Sequence, residues 1–173
     1  NNTLIGGLTG DALTTGSGNT LLGTGAGGAE TTGANNVIIG QAGQAQTLTN
    51  DTVAIGDGAL QTNTKSAKNT AIGRSALRVL NHTTATNGYN VAVGFNAGIA
   101  MTTGLSNTLI GGLCGTAVTT GDDNVSLGYS SLRSNTASNG NVAVGHSALY
   151  SLNITGDSTY AANTAVGYSS GLF

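Results

Sequence analysis

Short β-branched runs recur along the chain at nearly constant spacing. Each follows one formula: Asn, then Thr or Val, a small or apolar residue, a β-branched residue or Leu, and finally Gly, as in Asn36-Val37-Ile38-Ile39-Gly40. The three residues before each of these glycines hold 19 of the chain's 37 Leu, Ile, Val and Phe residues, so the apolar content is concentrated there. Runs this short, bounded by Gly and Asn, predict strands, since a helix needs roughly ten residues and an apolar period of about 3.6. Between them lie turn clusters such as Thr14-Thr15-Gly16-Ser17-Gly18 and Thr119-Thr120-Gly121-Asp122-Asp123. There Gly supplies positive φ, and Asn or Asp bonds the local backbone. One strand, one Gly corner, a small-residue segment and a turn make one coil.

The unit occurs ten times, ending at Gly6, Gly23, Gly40, Gly56, Gly73, Gly94, Gly111, Gly128, Gly145 and Gly167. Successive spacings are 17, 17, 16, 17, 21, 17, 17, 17 and 22, and the three exceptions read as changes of loop length. Nine opening positions are Asn (Asn2, Asn19, Asn36, Asn69, Asn90, Asn107, Asn124, Asn141 and Asn163), with Thr52 the exception. Residues 2–19 match residues 107–124 at 13 of 18 positions, which implies duplication of a block. A fixed period of this kind predicts an all-β solenoid, a parallel β-roll or β-helix of about ten coils, forming one repeat domain over residues 1–173. The chain opens inside a motif and stops directly after one, so it is expected to be a piece of a longer fibrous chain. Extra residues near 79–88 and 151–160 mark the candidate protruding loops.

Alternation along the strand assigns faces. The second and fourth residues of each unit share one side, and their β-branched character suggests the inward face. The third residue then points outward: Leu4, Leu21, Ile38, Ala54, Ala71, Ala92, Leu109, Ser126, Ala143 and Ala165. A strand apolar on both sides is buried on both sides. The outward column is therefore expected to be a subunit interface. Stacked Asn side chains about 4.8 Å apart can form amide ladders between coils, so the Asn column reads as structural. The Gly column reads as a corner with no room for Cβ. Cys114 sits three positions after the corner Gly, where Ala26, Gly43, Ala59, Ala76, Ala97, Ser131, Ala148 and Ser170 stand in other coils, and reads as a small filler.

Composition narrows the class further. Gly (29), Thr (27), Ala (22), Asn (19) and Ser (14) dominate the 173 residues, and there is no Pro or Trp. Leu, Ile, Val and Phe make up about 21%, too little for an ordinary core. With only 12 charged residues, the net charge of −2 provides neither the repulsion that expands disordered chains nor a footprint for nucleic acid or anionic membrane. No run of 18 apolar residues occurs, so no membrane insertion is expected in this segment. A lone Cys excludes an intrachain disulfide.

Asn69-Thr70-Ala71-Ile72-Gly73-Arg74-Ser75-Ala76-Leu77, Asn141-Val142-Ala143-Val144-Gly145-His146-Ser147-Ala148-Leu149 and Asn163-Thr164-Ala165-Val166-Gly167-Tyr168 carry a resemblance that extends over essentially the whole chain. They resemble the head repeats of trimeric autotransporter adhesins and, more closely, the repeats of bacteriophage tail fibres that end in an intramolecular chaperone. The resemblance implies a left-handed parallel β-roll and three chains about one axis. The 17-residue period is longer than the compact adhesin coil, and no coiled-coil neck, membrane anchor or chaperone domain is present.

Candidate chemistry is sparse. Gly23-Thr24-Gly25-Ala26-Gly27-Gly28 fits G-x-G-x-x-G, but a repeat strand follows where a dinucleotide site needs a helix. His82 and His146 have no ligand partners at metal spacing, and no cofactor is expected. Asp11, Glu30, Asp51, Asp57, Asp122, Asp123 and Asp157 are scattered, whereas glycoside cleavage needs two carboxylates facing one cleft. Lys65, Lys68, Arg74 and Arg78 form the basic cluster and read as a solvated edge. Adjacent Thr pairs such as Thr31-Thr32 lack the Thr-x-Thr spacing of an ice-binding face. The expectation is thus a non-enzymatic segment of a homotrimeric fibre, an extracellular viral tail fibre or similar surface appendage of roughly 45–50 Å. Host glycan or receptor recognition by the two longer loops is a secondary expectation. The alternatives are a bacterial adhesin head that binds host matrix and a solenoid glycan-cleaving enzyme.

Overall fold

The computed structural model describes residues 1–152 and 162–172. Ten three-residue strands occupy the predicted runs: β1 (Thr3–Ile5), β2 (Thr20–Leu22), β3 (Val37–Ile39), β4 (Val53–Ile55), β6 (Thr70–Ile72), β8 (Val91–Val93), β9 (Thr108–Ile110), β10 (Val125–Leu127), β11 (Val142–Val144) and β12 (Thr164–Val166). They form one parallel sheet in chain order, so the chain is an all-β parallel solenoid. Pairing is in register throughout; Leu4 faces Leu21, which faces Ile38, which faces Ala54. The insertion before β8 contributes a second small sheet, in which β5 (Ser66–Ala67) pairs in parallel with β7 (Thr86–Asn87). Asn81, Thr83, Thr84 and Ala85 of that insertion are exposed, while residues 153–161 of the other longer loop lie outside the described residues.

The face assignment is reversed. Leu21, Ile38, Ala54, Ala71, Ala92, Leu109 and Ala143 are 0% exposed and Ala165 is 7% exposed within a single chain. They line the inside of the coil and cannot form a subunit interface; Leu4, in the first strand, belongs to the same column but is 41% exposed. The second and fourth residues face out. The physical reason is the narrowness of the coil, whose interior admits one strand side chain per turn together with those from the opposite wall.

The opposite wall shows the constraint directly. Where the strand contributes Leu4, Leu21, Ile38 or Leu109, the facing position is Gly10, Gly27, Gly43 or Gly115. Where it contributes Ala54, Ala71, Ser126 or Ala143, that position is Leu60, Leu77, Leu132 or Leu149. A Cβ added at Gly10 would lie 2.7 Å from Leu4 Cδ2 and 2.8 Å from Leu21 Cδ1, and one at Gly115 would lie 3.0 Å from Leu109 Cδ2. Large and small side chains thus exchange across the core at nearly constant volume, as close packing demands. The four leucines adopt left-handed backbone, with φ between 47° and 51°. Each costs on the order of 1–2 kcal/mol, offset by burial of a Leu side chain worth about 1.5–3 kcal/mol. In the coil with both Ala92 and Gly98, buried Met101 occupies the interior.

Asparagine columns tie successive coils together. The N–H of Asn107 donates to Asn90 Oδ1 at 2.9 Å, and that of Asn124 donates to Asn107 Oδ1 at 3.0 Å. Asn107 Nδ2 donates to Asn90 Oδ1 at 3.2 Å and to the Gly121 carbonyl at 2.8 Å. The ladder runs unbroken from Asn69 to Asn163. Thr52 interrupts it: its N–H bonds Asn36 Oδ1, but its hydroxyl turns to the Asn50 carbonyl. Asn107→Ala strands the buried Asn124 N–H and Gly121 carbonyl, and chemical denaturation is expected to show a loss of about 3 kcal/mol. A loss below a few tenths would mean that the ladder is incidental to folding.

Candidate interaction surface

The outward positions of the ten strands build one continuous strip. Ile5, Leu22, Ile39, Ile55, Ile72, Val93, Ile110, Leu127, Val144 and Val166 form one row, and Val37, Val53, Val91, Val125 and Val142 with five threonines form the other. Exposure reaches 59% at Ile5, 46% at Leu127 and 69% at Val166, so the strip is open to solvent in a single chain. Neither row contains a charged residue. Nine strand spacings of about 4.8 Å and a width of two residues give a strip roughly 43 Å by 7 Å. All-parallel sheets are almost always covered on both faces. Here the described residues cover only the inner face of the sheet.

Beyond each corner Gly runs a second column, of side chains that project outward. Asp57 pairs with Arg74 at 3.5 Å, and the Arg74 guanidinium lies 5.9 Å from the Phe95 ring centroid. Three coils on, His146 stacks between Tyr129 and Tyr168, with centroid distances of 5.3 and 5.0 Å. Sequence reading missed this column. Its signal was the residue directly after each repeat Gly, where planar side chains recur in the later coils.

The titratable groups singled out in the sequence perform separate structural tasks. Asp122 accepts the Leu105 N–H at 2.8 Å, and Asp51 accepts Asn35 Nδ2 at 3.2 Å. His82 Nε2 contacts the Thr103 carbonyl at 3.0 Å, and its buried Nδ1 has no hydrogen-bond partner. Lys65 donates to the Thr83 carbonyl, Lys68 lies over Tyr89, and Arg78 donates to Gln61 Oε1 at 2.8 Å. Gly27, within the G-x-G-x-x-G string, packs on the core: a Cβ there would lie 3.1 Å from Ile38 Cδ1. Burial pushes the Cys114 thiol up to about 12, as suits an inert filler. Among the described residues no three His, Cys, Asp or Glu side chains gather into a metal-binding group, and no enclosed pocket forms.

Glu30 is the exceptional carboxyl. Fully buried, it accepts the Gly33 N–H at 2.8 Å and the Thr49 hydroxyl at 3.0 Å, beside buried Gln46, whose Nε2 has no partner. Desolvation raises its pKa, against the opposing effect of those hydrogen bonds. The folded chain therefore holds this proton more tightly than the unfolded chain. That contribution is fully present below the unfolded value of 4.5 and is lost as pH rises through the folded value. Relative to wild type, Glu30→Gln is expected to show no gain in thermal stability below pH 4.5, to gain as pH rises from there to the folded value, and to hold that gain above it. A pH-independent difference in midpoint would refute the assignment.

No protein-family model, curated protein or solved structure matches this chain.

Proposed function

We propose that this chain is a non-enzymatic structural segment of a homotrimeric fibre, of the viral tail-fibre kind or a similar surface appendage, that supports attachment to a host. The observation that carries the reading is the uncharged aliphatic and Thr strip on the solvent side of a ten-stranded parallel sheet. An apolar surface of this continuity marks an association site, and copies of the same chain present strips of identical length and period. Three such strips meeting about one axis would give the sheet its missing second cover, and the number three comes from the resemblance to trimeric fibres and adhesins. The coil itself suits a mechanical role, since backbone bonds and the Asn ladder link each coil to the next with few charges.

Light scattering over a concentration series tests the reading. A mass three times 16.8 kDa, lost together with the β signal in mild denaturant, is the expected result. A folded monomer at every concentration would overturn it.

A further inference from the structure

The two long edges of the strip carry the same order of side chains. The residue before the opening Asn or Thr of each unit lies at the start of its strand, and the residue after the corner Gly lies at its end. Strand β4 is flanked in this way by Asp51 and Asp57, β6 by Lys68 and Arg74, and β8 by Tyr89 and Phe95, all six exposed. These strands are neighbours in the sheet, so acid, base and ring follow one another along both rims of an uncharged face. Asp57 is paired with Arg74, whereas Asp51, Lys68 and Asp123 make no ion pair among the described residues.

We propose that copies of this chain meet along the strip offset by one coil, the strand start of one coil facing the strand end of the following coil in the neighbouring copy. The proposal rests on the fibre reading for the presence of three copies and adds the register in which they meet. Rotation about a common axis keeps every strand running the same way round, so each seam sets one copy's strand starts against its neighbour's strand ends. At equal height Asp51 faces Asp57 and Lys68 faces Arg74, like charge on like. Such juxtaposition opposes association, and charge complementarity fixes register. With the offset, Asp51 faces Arg74, Asp123 faces His146, and Lys68 faces the Phe95 ring. The Arg74 guanidinium has five N–H donors on a side chain 66% exposed, so it can donate to a second carboxylate beside Asp57. An offset in the opposite sense sets Lys68 against Asp57 but leaves Asp123 facing Gly112, which has no side chain to answer it. The three copies stay equivalent. One coil spacing of about 4.8 Å across rims roughly 20 Å apart needs strands inclined by only about 14° to the plane normal to the axis.

Disulfide trapping at uncharged rim positions reads the register and leaves the charges in place. In a Cys114→Ala background, Ser106→Cys with Tyr129→Cys reports the proposed offset, Ser106→Cys with Gly112→Cys equal height, and Ser106→Cys with Phe95→Cys the opposite offset. Within one chain the rims stand roughly 20 Å apart and a disulfide spans at most about 7 Å between Cα atoms, so each bond joins two copies. The first pair is expected to give a covalent trimer on non-reducing gels at least about tenfold faster than either of the others. Charge reversal by Asp51→Lys with Asp123→Lys is expected to cut that rate at least about tenfold. Circular dichroism checks that each variant keeps its β signal; should Gly112→Cys fold poorly, Tyr89→Cys with Phe95→Cys reports equal height in its place. Equal or faster trapping by the other pairs, or a rate unmoved by the charge reversal, would overturn the register and leave the trimer standing. A light-scattering mass of one or two chains under reducing conditions would overturn both.

Discussion

Replacing Ile72 and Val93 together by lysine is expected to convert the proposed trimer into folded monomers. These side chains are register partners on adjacent strands β6 and β8, both on the outward face near the middle of the strip. In a single chain each is only half-buried, so a lysine can lay its methylene stem along the sheet and keep its ammonium in water. In a trimer the same substitution brings six ammonium groups into an apolar contact. Burying each without a partner costs several kcal/mol, more than an interface of this kind can offset. Scattering mass should fall threefold while far-UV circular dichroism keeps its β signal. Lysines at Gln44 and Gln61, which bond one another on another side of the coil, should leave the mass unchanged. Lysines at Ala71 and Ala92, also register partners but fully buried, should instead abolish the β signal itself. A full-mass Ile72/Val93 variant would show that the sheet face is not where copies meet.

Gly111→Ala is expected to destabilise the coil by at least about 4 kcal/mol, through two independent costs. Its φ of +137° lies outside the left-handed well that other residues can visit, a region essentially confined to glycine. A Cβ there would also stand 2.6 Å from the Gly128 carbonyl carbon of the next coil. That neighbour is backbone, held by Gly128 N–H donation to the Ile110 carbonyl at 2.8 Å, so it cannot rotate away as a side chain would. The adjacent Gly112→Ala serves as control. Its φ is not positive and its Cβ would meet only ordinary ring contacts, so denaturation should place it within about 0.5 kcal/mol of wild type. Equal midpoints for the two variants would mean that the corners are looser than the geometry indicates.

The sequence by itself determined the strands, the corners and the solenoid. Its ten repeat units, nine of them opening with Asn, place each strand within the run that the structure shows, because short β-branched runs bounded by Gly and Asn have few other conformations open to them. Stacking of like residues followed from the constant period: Leu21 over Ile38, or Asn107 over Asn124. What alternation could not determine was which face is inside. A period of two says that Thr70 and Ile72 share a side and that Ala71 points the other way, and nothing more. Size suggested that Ile72 belongs in the core, yet only the closed coil shows that Leu77 already fills the space opposite Ala71. The same holds for Gly27, whose place is taken by Leu21 and Ile38. The Asn ladder divides in the same way. Its stacking was legible, but the bond from Asn107 to the Gly121 carbonyl, 14 residues on, exists only because the next coil brings that carbonyl alongside. The period determines what stacks on what, whereas the inside of the coil is settled by the volume left between walls that meet only when the chain closes.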